Sequence, residues 1–190
     1  MPATRQPAML SERWFRTRPD SSTLIRPRLL ARSLIHVSRL DEQISFYERL
    51  LGVPADLRMP IPDFGGLELA AVGDVLLIAS ERPFTPIQRQ TAYSLIVPSL
   101  TRQLELLKEL GGSVVEPVES IVPGSRARVR YPDGTIAELV EHRPQPGEQP
   151  RPPQARRAAE LSGAETGTVR LLARRAVPHA AFPAAVEHYE

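Results

Sequence analysis

Apolar residues along this chain fall into two matching series. Residues 34–37 form a short apolar run that reads as a strand. Leu40, Ile44, Tyr47 and Leu51 then stand at i, i+4, i+7 and i+11, the spacing of one helical face, and Phe46 and Leu50 widen that stripe. Gly52 is placed to end the helix. Strand-like segments follow at 55–60, 67–72 and 75–80, punctuated by Pro60, Pro62, Gly65, Gly66, Gly73 and Asp74. Sixty residues on, the series begins again. Residues 95–97 are apolar, Leu100, Leu104, Leu107 and Gly111 take the same offsets, and Leu106 and Leu110 are the widening pair. Strand-like segments follow at 113–118, 126–131 and 135–141. Under this shift Val37 falls on Val97, Leu40 on Leu100, Gln43 on Gln103, Leu50 on Leu110 and Gly52 on Gly112. The shared order and period predict an α+β fold of two tandem βαβββ modules.

The flanks have another texture. Residues 143–153 hold five prolines in eleven positions, which favours an extended linker. Beyond it the chain is rich in Ala and Arg, and 168–177 offers two or three turns of helix, too short to be stable alone. Pro2, Pro7, Pro19 and Pro27 interrupt the start, and Met9 is a second candidate initiator besides Met1. The predicted organisation is a basic, flexible extension over 1–29, one domain over 30–142, and a disordered Pro/Ala/Arg-rich tail over 143–190.

Charge follows the same division. Six arginines face two acids in residues 1–30, and seven face five in 143–190, whereas 31–142 holds eleven basic and fifteen acidic residues. The net charge of +2 and the pI near 9.4 therefore describe the flanks. A nucleic-acid binder gathers positive charge on its folded face, so no such partner is expected. The chain has no cysteine, which excludes disulfides, thiolate metal sites and cysteine nucleophiles. No apolar stretch approaches eighteen residues and no apolar h-region follows Arg5, Arg13, Arg16 and Arg18, so a cytoplasmic location without a membrane partner is expected. A single lysine against twenty-three arginines hints at bacterial, high-GC coding.

The phrase Ser45-Phe46-Tyr47-Glu48-Arg49-Leu50-Leu51-Gly52, and the closing run from Tyr131 through Pro132-Asp133-Gly134 to Glu138, resemble the vicinal oxygen chelate superfamily. That superfamily includes glyoxalase I, extradiol dioxygenases, methylmalonyl-CoA epimerase and bleomycin-resistance proteins. The resemblance covers about 32–142. It implies a cup of eight strands, a homodimer, and in catalytic members four metal ligands, typically His, Glu, His and Glu, on the first and fourth strands of each module. Carried onto this chain, those positions are Arg32, Ile78, Ala92 and Glu138. Only Glu138 can coordinate, and Arg32 would repel a cation. One carboxylate does not hold Ni, Zn, Mn or Fe against cellular chelators, so no metal cofactor is expected. The exception would be a displaced site that recruits His36, four residues from Arg32 on the same strand face.

Strand parity suggests the lining. Arg32, Leu34 and His36 share a face, as do Ala92, Ser94 and Ile96, and Ile136, Glu138 and Val140. The resemblance points Arg128 into the cup with Glu68 as its counterpart and Arg130 nearby. Buried charges need partners, so these arginines are expected to pair with Glu68 and Glu138. A surplus guanidinium would offer bidentate donors to an anion. Tyr93, Phe64, Phe84 and Tyr131 are candidates for apolar walls. The expected ligand-binding residues are thus Arg32, His36, Ser94, Arg128 and Glu138, in a protein similar to the bleomycin-resistance branch that binds a small anionic or aromatic molecule without a metal. The alternative is an enzyme, a lyase, isomerase or dioxygenase, with a remodelled metal site or with His36 and Glu138 as an acid–base pair. His142, His179 and His188 lie at the domain edge or in the tail, without a nucleophile motif.

Overall fold

The computed structural model describes residues 13–61, 65–146, 149–150, 172, 174 and 176–189. A two-residue strand β1 (Trp14–Phe15) precedes the first module, which runs β2 (Arg28–His36), α1 (Leu40–Leu51), β3 (Ala55–Ile61), β4 (Leu67–Val72) and β5 (Val75–Ser80). A short helix α2 (Pro86–Gln90), closed by a reciprocal cap between Thr85 and Gln88, leads to the second module. That module runs β6 (Thr91–Ile96), α3 (Leu100–Glu109), β7 (Ser113–Ile121), β8 (Gly124–Arg130) and β9 (Ile136–His142). A last helix, α4, spans Phe182–Tyr189.

The strands form one sheet in the order β1-β3-β4-β5-β2-β6-β9-β8-β7. The opening strands of the two modules, β2 and β6, meet antiparallel at its centre, and each carries its own module's last strand parallel on the other side. The halves correspond closely: Leu34 lies opposite Ile78 in one, and Ser94 opposite Glu138 in the other. This is the predicted architecture of two βαβββ modules curled around one cup, with β1 added as a ninth strand.

Helices α1 and α3 cover the outer side of the sheet. Leu40 and Ile44 of α1 pack on Ala70, Val72, Leu77 and Ala79, while α3 sets Leu100 and Leu107 on Ala127, Val129 and Leu139. The buried stripe is narrower than the periodicity predicts. Phe46 and Leu50, with Leu106 and Leu110 in the second module, are about half exposed, since a sheet face meets only one ridge of each helix. Gly52 ends α1 at φ 66°, a left-handed conformation that glycine adopts without a Cβ penalty. Glu48, buried on the inner face of α1, accepts the Ala55 N–H at 2.9 Å, and Glu141 of β9 accepts the Leu100 N–H at 2.6 Å at the start of α3.

The segment 1–29, expected as a flexible extension, is described from Arg13 onward, and there it is tied to the sheet. Trp14 and Phe15 pair with Arg58 and Leu57 of β3, and Phe15 is only 3% exposed. Arg16 donates to Asp56, through both its N–H and its side chain. Ser21 is buried, donates its hydroxyl to the Val97 carbonyl at 2.7 Å and accepts the His142 N–H at 3.0 Å. The strap therefore joins the two modules. A two-residue strand has no periodicity to read, which is why the sequence does not announce it. In the expected disordered tail, α4 is described, whereas most of 168–177 and all of 151–171 lie outside the described residues.

The two edges of the sheet differ. β1 covers part of β3, while β7 has no strand on its outer side among the described residues and carries two register irregularities, Pro117, and the charged Glu116 and Glu119. These features discourage strand addition. Gly124, at φ 120°, opens β8 so close to β9 that a Cβ would stand 2.1 Å from the Glu141 carbonyl oxygen. Among the described residues no helix is long and apolar enough to cross a membrane.

Candidate functional site

Period two along the strands sends one face of each to the helices and the other to the cup. The cup encloses a cavity of about 110 Å³ with two unlike walls. The first module contributes Leu57, Met59, Leu69, Leu76 and Ile78. The second contributes Ser94, Arg126, Arg128 and Glu138 beside the apolar Ile96, Ile121 and Val140, and Arg32 joins them from the central strand β2. Gln88 and His142 also line it.

The charged wall is a connected network. Arg32 Nη1 donates to Glu138 Oε2 at 2.9 Å and approaches Ser94 Oγ at 3.4 Å, and Ser94 Oγ donates to the same carboxylate oxygen at 2.7 Å. Arg126 Nη1 reaches Glu138 Oε1 at 3.2 Å, and Arg128 Nη2 stands 3.6 Å from it. Arg126 also pairs with Glu116 and, at 2.6 Å, with Glu119, while Arg128 pairs with Glu116. Burial alone would push the Glu138 carboxyl up. Arg32 first, then the Ser94 hydrogen bond and the two other arginines, outweigh it and hold the group below its usual range. Burial pulls Arg32 down from its usual value, opposed by Glu138 and reinforced by Arg128 and Arg126.

Four of the five expected residues, Arg32, Ser94, Arg128 and Glu138, are thus together. His36 is not. β2 ends there, and the exposed imidazole turns back on its own chain: Nδ1 lies 2.8 Å from Ser38 Oγ and accepts the Ser38 N–H at 3.2 Å, capping the turn into α1. The expected pairing of His36 with Glu138 is not made.

Glu68 is also outside the cup. It pairs with Arg58 at 2.5 Å on the helix side of β4, and Leu69 takes the inward place. The reason is turn length. Leu69 faces Ile78 across one hairpin and Arg128 faces Glu138 across the other, so β9 keeps the sixty-residue shift while β8 stands at fifty-nine. Val72 and Val75 flank two residues, whereas Tyr131 and Thr135, joined by a 2.9 Å hydrogen bond, flank three. Arg130 shares the parity of Arg128 but is exposed at the strand end. Tyr93 and Tyr131 sit in the core beneath α3, Phe84 packs on the cup's apolar cluster, and Phe64 lies outside the described residues.

The fold implies a metal in catalytic relatives, and these residues do not fit one. Arg32 occupies one ligand position with its guanidinium against Glu138, Ile78 lines another, and Ala92 is exposed beside a register shift in β6. Among the described residues, no three His, Cys, Asp or Glu side chains are grouped to hold an ion.

Among the ionisable residues of the lining, Arg126 and His142 are not among those the sequence singles out. Arg126 shares the parity of Arg128, and His142 stands four residues after Glu138 on the same face, so both were readable by period two. Burial, with the Arg28 charge adding to it, pulls the His142 imidazole down from 6.5 to about 4. The unfolded chain therefore takes up a proton below pH 6.5 that the folded chain refuses until about 4. Stability from this group is complete above 6.5 and declines between those values, by at most about 1.4 kcal/mol per pH unit. His142→Gln should flatten that part of the pH profile of urea unfolding. Equal slopes in the variant and the parent would remove this account.

No family model matches the chain, and no curated protein matches it. Solved structures do. An uncharacterised protein from Methanosarcina mazei is 32% identical, with a TM-score of 0.55, over 61% of this chain and 92% of that one. Methylmalonyl-CoA epimerase from Mycobacterium tuberculosis is 20% identical, with a TM-score of 0.46, over 72% and 95%. Glyoxalase I from Zea mays is 20% identical, with a TM-score of 0.23, over 58% and 45%.

Proposed function

We propose that this chain, whose paired βαβββ modules resemble those of the vicinal oxygen chelate superfamily, binds a small, largely apolar anion in its cup without a metal and without turnover. The observation that carries this reading is the Arg32–Glu138 pair. The single carboxylate left at the four ligand positions is already neutralised by an arginine standing at another of them. Both Glu138 oxygens are engaged, so the group is a poor proton acceptor as well as a poor ligand. The apolar wall with a few convergent polar groups is the usual composition of a small-molecule site. A homodimer, implied by the resemblance, would have to use a surface other than the guarded β7 edge.

Calorimetric titration of purified protein with Ni, Zn, Mn and Fe(II) tests the reading. No stoichiometric binding is expected with any of them. Tight one-to-one binding that is lost in Glu138→Gln would overturn it in favour of a metal-dependent enzyme.

A further inference from the structure

We infer that two copies of this chain meet on the outer face of the second module, with α3 of each lying antiparallel in the groove beside α3 of the other. This goes beyond the reading of the cup, which lies on the opposite side of the sheet.

The sheet leaves part of α3 uncovered. Leu100 and Leu107 face the core. Arg102, Leu106, Glu109 and Leu110 stand at i, i+4, i+7 and i+8, a second stripe along the same helix. All four are exposed, Leu106 by 45% and Leu110 by 52%. Beside the stripe runs a groove of about 370 Å³, lined by Leu106, Leu110, Pro27, Leu29, Tyr93 and Leu95. Ile25, two residues before Pro27, is fully exposed. Single apolar side chains on a surface are ordinary, but an apolar groove with an apolar ridge along its rim is the mark of an interaction site.

The charges choose the occupant. Arg102 and Glu109 flank Leu106 with opposite signs, and neither side chain makes an ion pair among the described residues. Their placement does not serve the helix itself. A basic residue in the first turn and an acidic residue at the end oppose the macrodipole. A basic peptide laid along the stripe would meet Arg102, and an acidic one would meet Glu109. A second α3, turned end for end by a two-fold axis near Leu106, satisfies both: Arg102 faces the partner's Glu109, and Glu109 faces the partner's Arg102. Such a contact is isologous, so each pair is made twice. The repeat offers a similar stripe on α1, Glu42, Phe46, Arg49 and Leu50, with the signs exchanged. There the acid begins the helix and the base ends it, as the dipole favours, and Glu42 is already paired with Arg39 at 3.3 Å. The helix alone accounts for the charges of α1 and leaves those of α3 unexplained. Strand pairing at β7 is discouraged by Pro117 and by its charges.

Sedimentation equilibrium of the full chain at low salt tests the inference. The parent should sediment as a dimer. Arg102→Glu and Glu109→Arg each set two like-charged pairs across the axis, and each variant alone should dissociate at least about tenfold more readily. An equimolar mixture of the two variants recreates both opposite-charge pairs and should regain the parental association. Both changes are exposed and suit the helix dipole, so the urea midpoint of each variant should not fall. A parent that is monomeric at about 0.1 mM overturns the inference. So does a dimer that neither variant weakens, since α1 or a sheet edge would then hold it. Weakening without recovery in the mixture also overturns it, because the two charges would then be acting on other surfaces.

Discussion

Glu138→Gln is expected to destabilise the folded chain by roughly 3–5 kcal/mol, the scale for breaking a buried charge pair and leaving its partner behind. The shape of the side chain survives the change. What is lost is the one carboxylate that Arg32, Arg126 and Arg128 share inside the cup. Replacing the pair together, as Arg32→Leu with Glu138→Leu, should recover part of the loss, because a buried ion pair is often no better than its apolar isosteres. Urea unfolding at pH 7 reads both. The variant should also change the acid limb. Glu138 has a folded pKa below its unfolded value, so its stabilisation is present above about 4.5 and disappears as pH falls through the folded value. Glu138→Gln should lack that lower part of the profile and keep the part between 6.5 and 4 that belongs to His142. A loss below about 1 kcal/mol would mean that the network is looser than its distances indicate.

Gly124→Ala is expected to be comparably damaging, by about 3–4 kcal/mol, from a purely steric cause. A Cβ there meets backbone atoms: the Glu141 oxygen at 2.1 Å and the Arg143 nitrogen at 3.0 Å. Neither can swing aside, because β9 is held on its other edge by β6. Gly65→Ala is the control. It also has positive φ, at 78°, but nothing lies within 4 Å of its Cβ, so it carries the conformational part alone, about 1 kcal/mol. Matching losses in the two variants would show that conformation, and not the close approach of β8 to β9, sets the requirement.

Much of this architecture is legible before any coordinates. The spacing from Leu40 to Leu51, the stop at Gly52 and the repeat in α3 leave little choice of element, and paired modules of this length close on one another. The candidate site was partly legible too: the resemblance supplies an inward position on each strand, and parity from there groups Arg32, Ser94 and Glu138. Parity is a relative code, however, and needs an origin. In β4 the origin comes from β8 across an equal shift, and the extra turn residue between Tyr131 and Thr135 moves it by one, so Glu68 is expected inside where Leu69 stands. His36 shows a different limit. It has the right parity, yet its strand stops there and Ser38 claims its imidazole. The strap from Arg13 to Pro27 was unreadable because its anchors, Asp56, Val97 and His142, are distant in sequence and each contact is made by one side chain or one amide.

The unequal hairpins have a consequence for descent. If the two halves arose by duplication, one codon gained or lost at a turn would have been enough to exchange the faces of an entire strand. Residues once hidden under a helix would turn into the cavity, and lining residues would be retired to the outside. A lineage could thus acquire a charged interior beside an apolar one in a single mutational event, without waiting for substitutions to accumulate position by position.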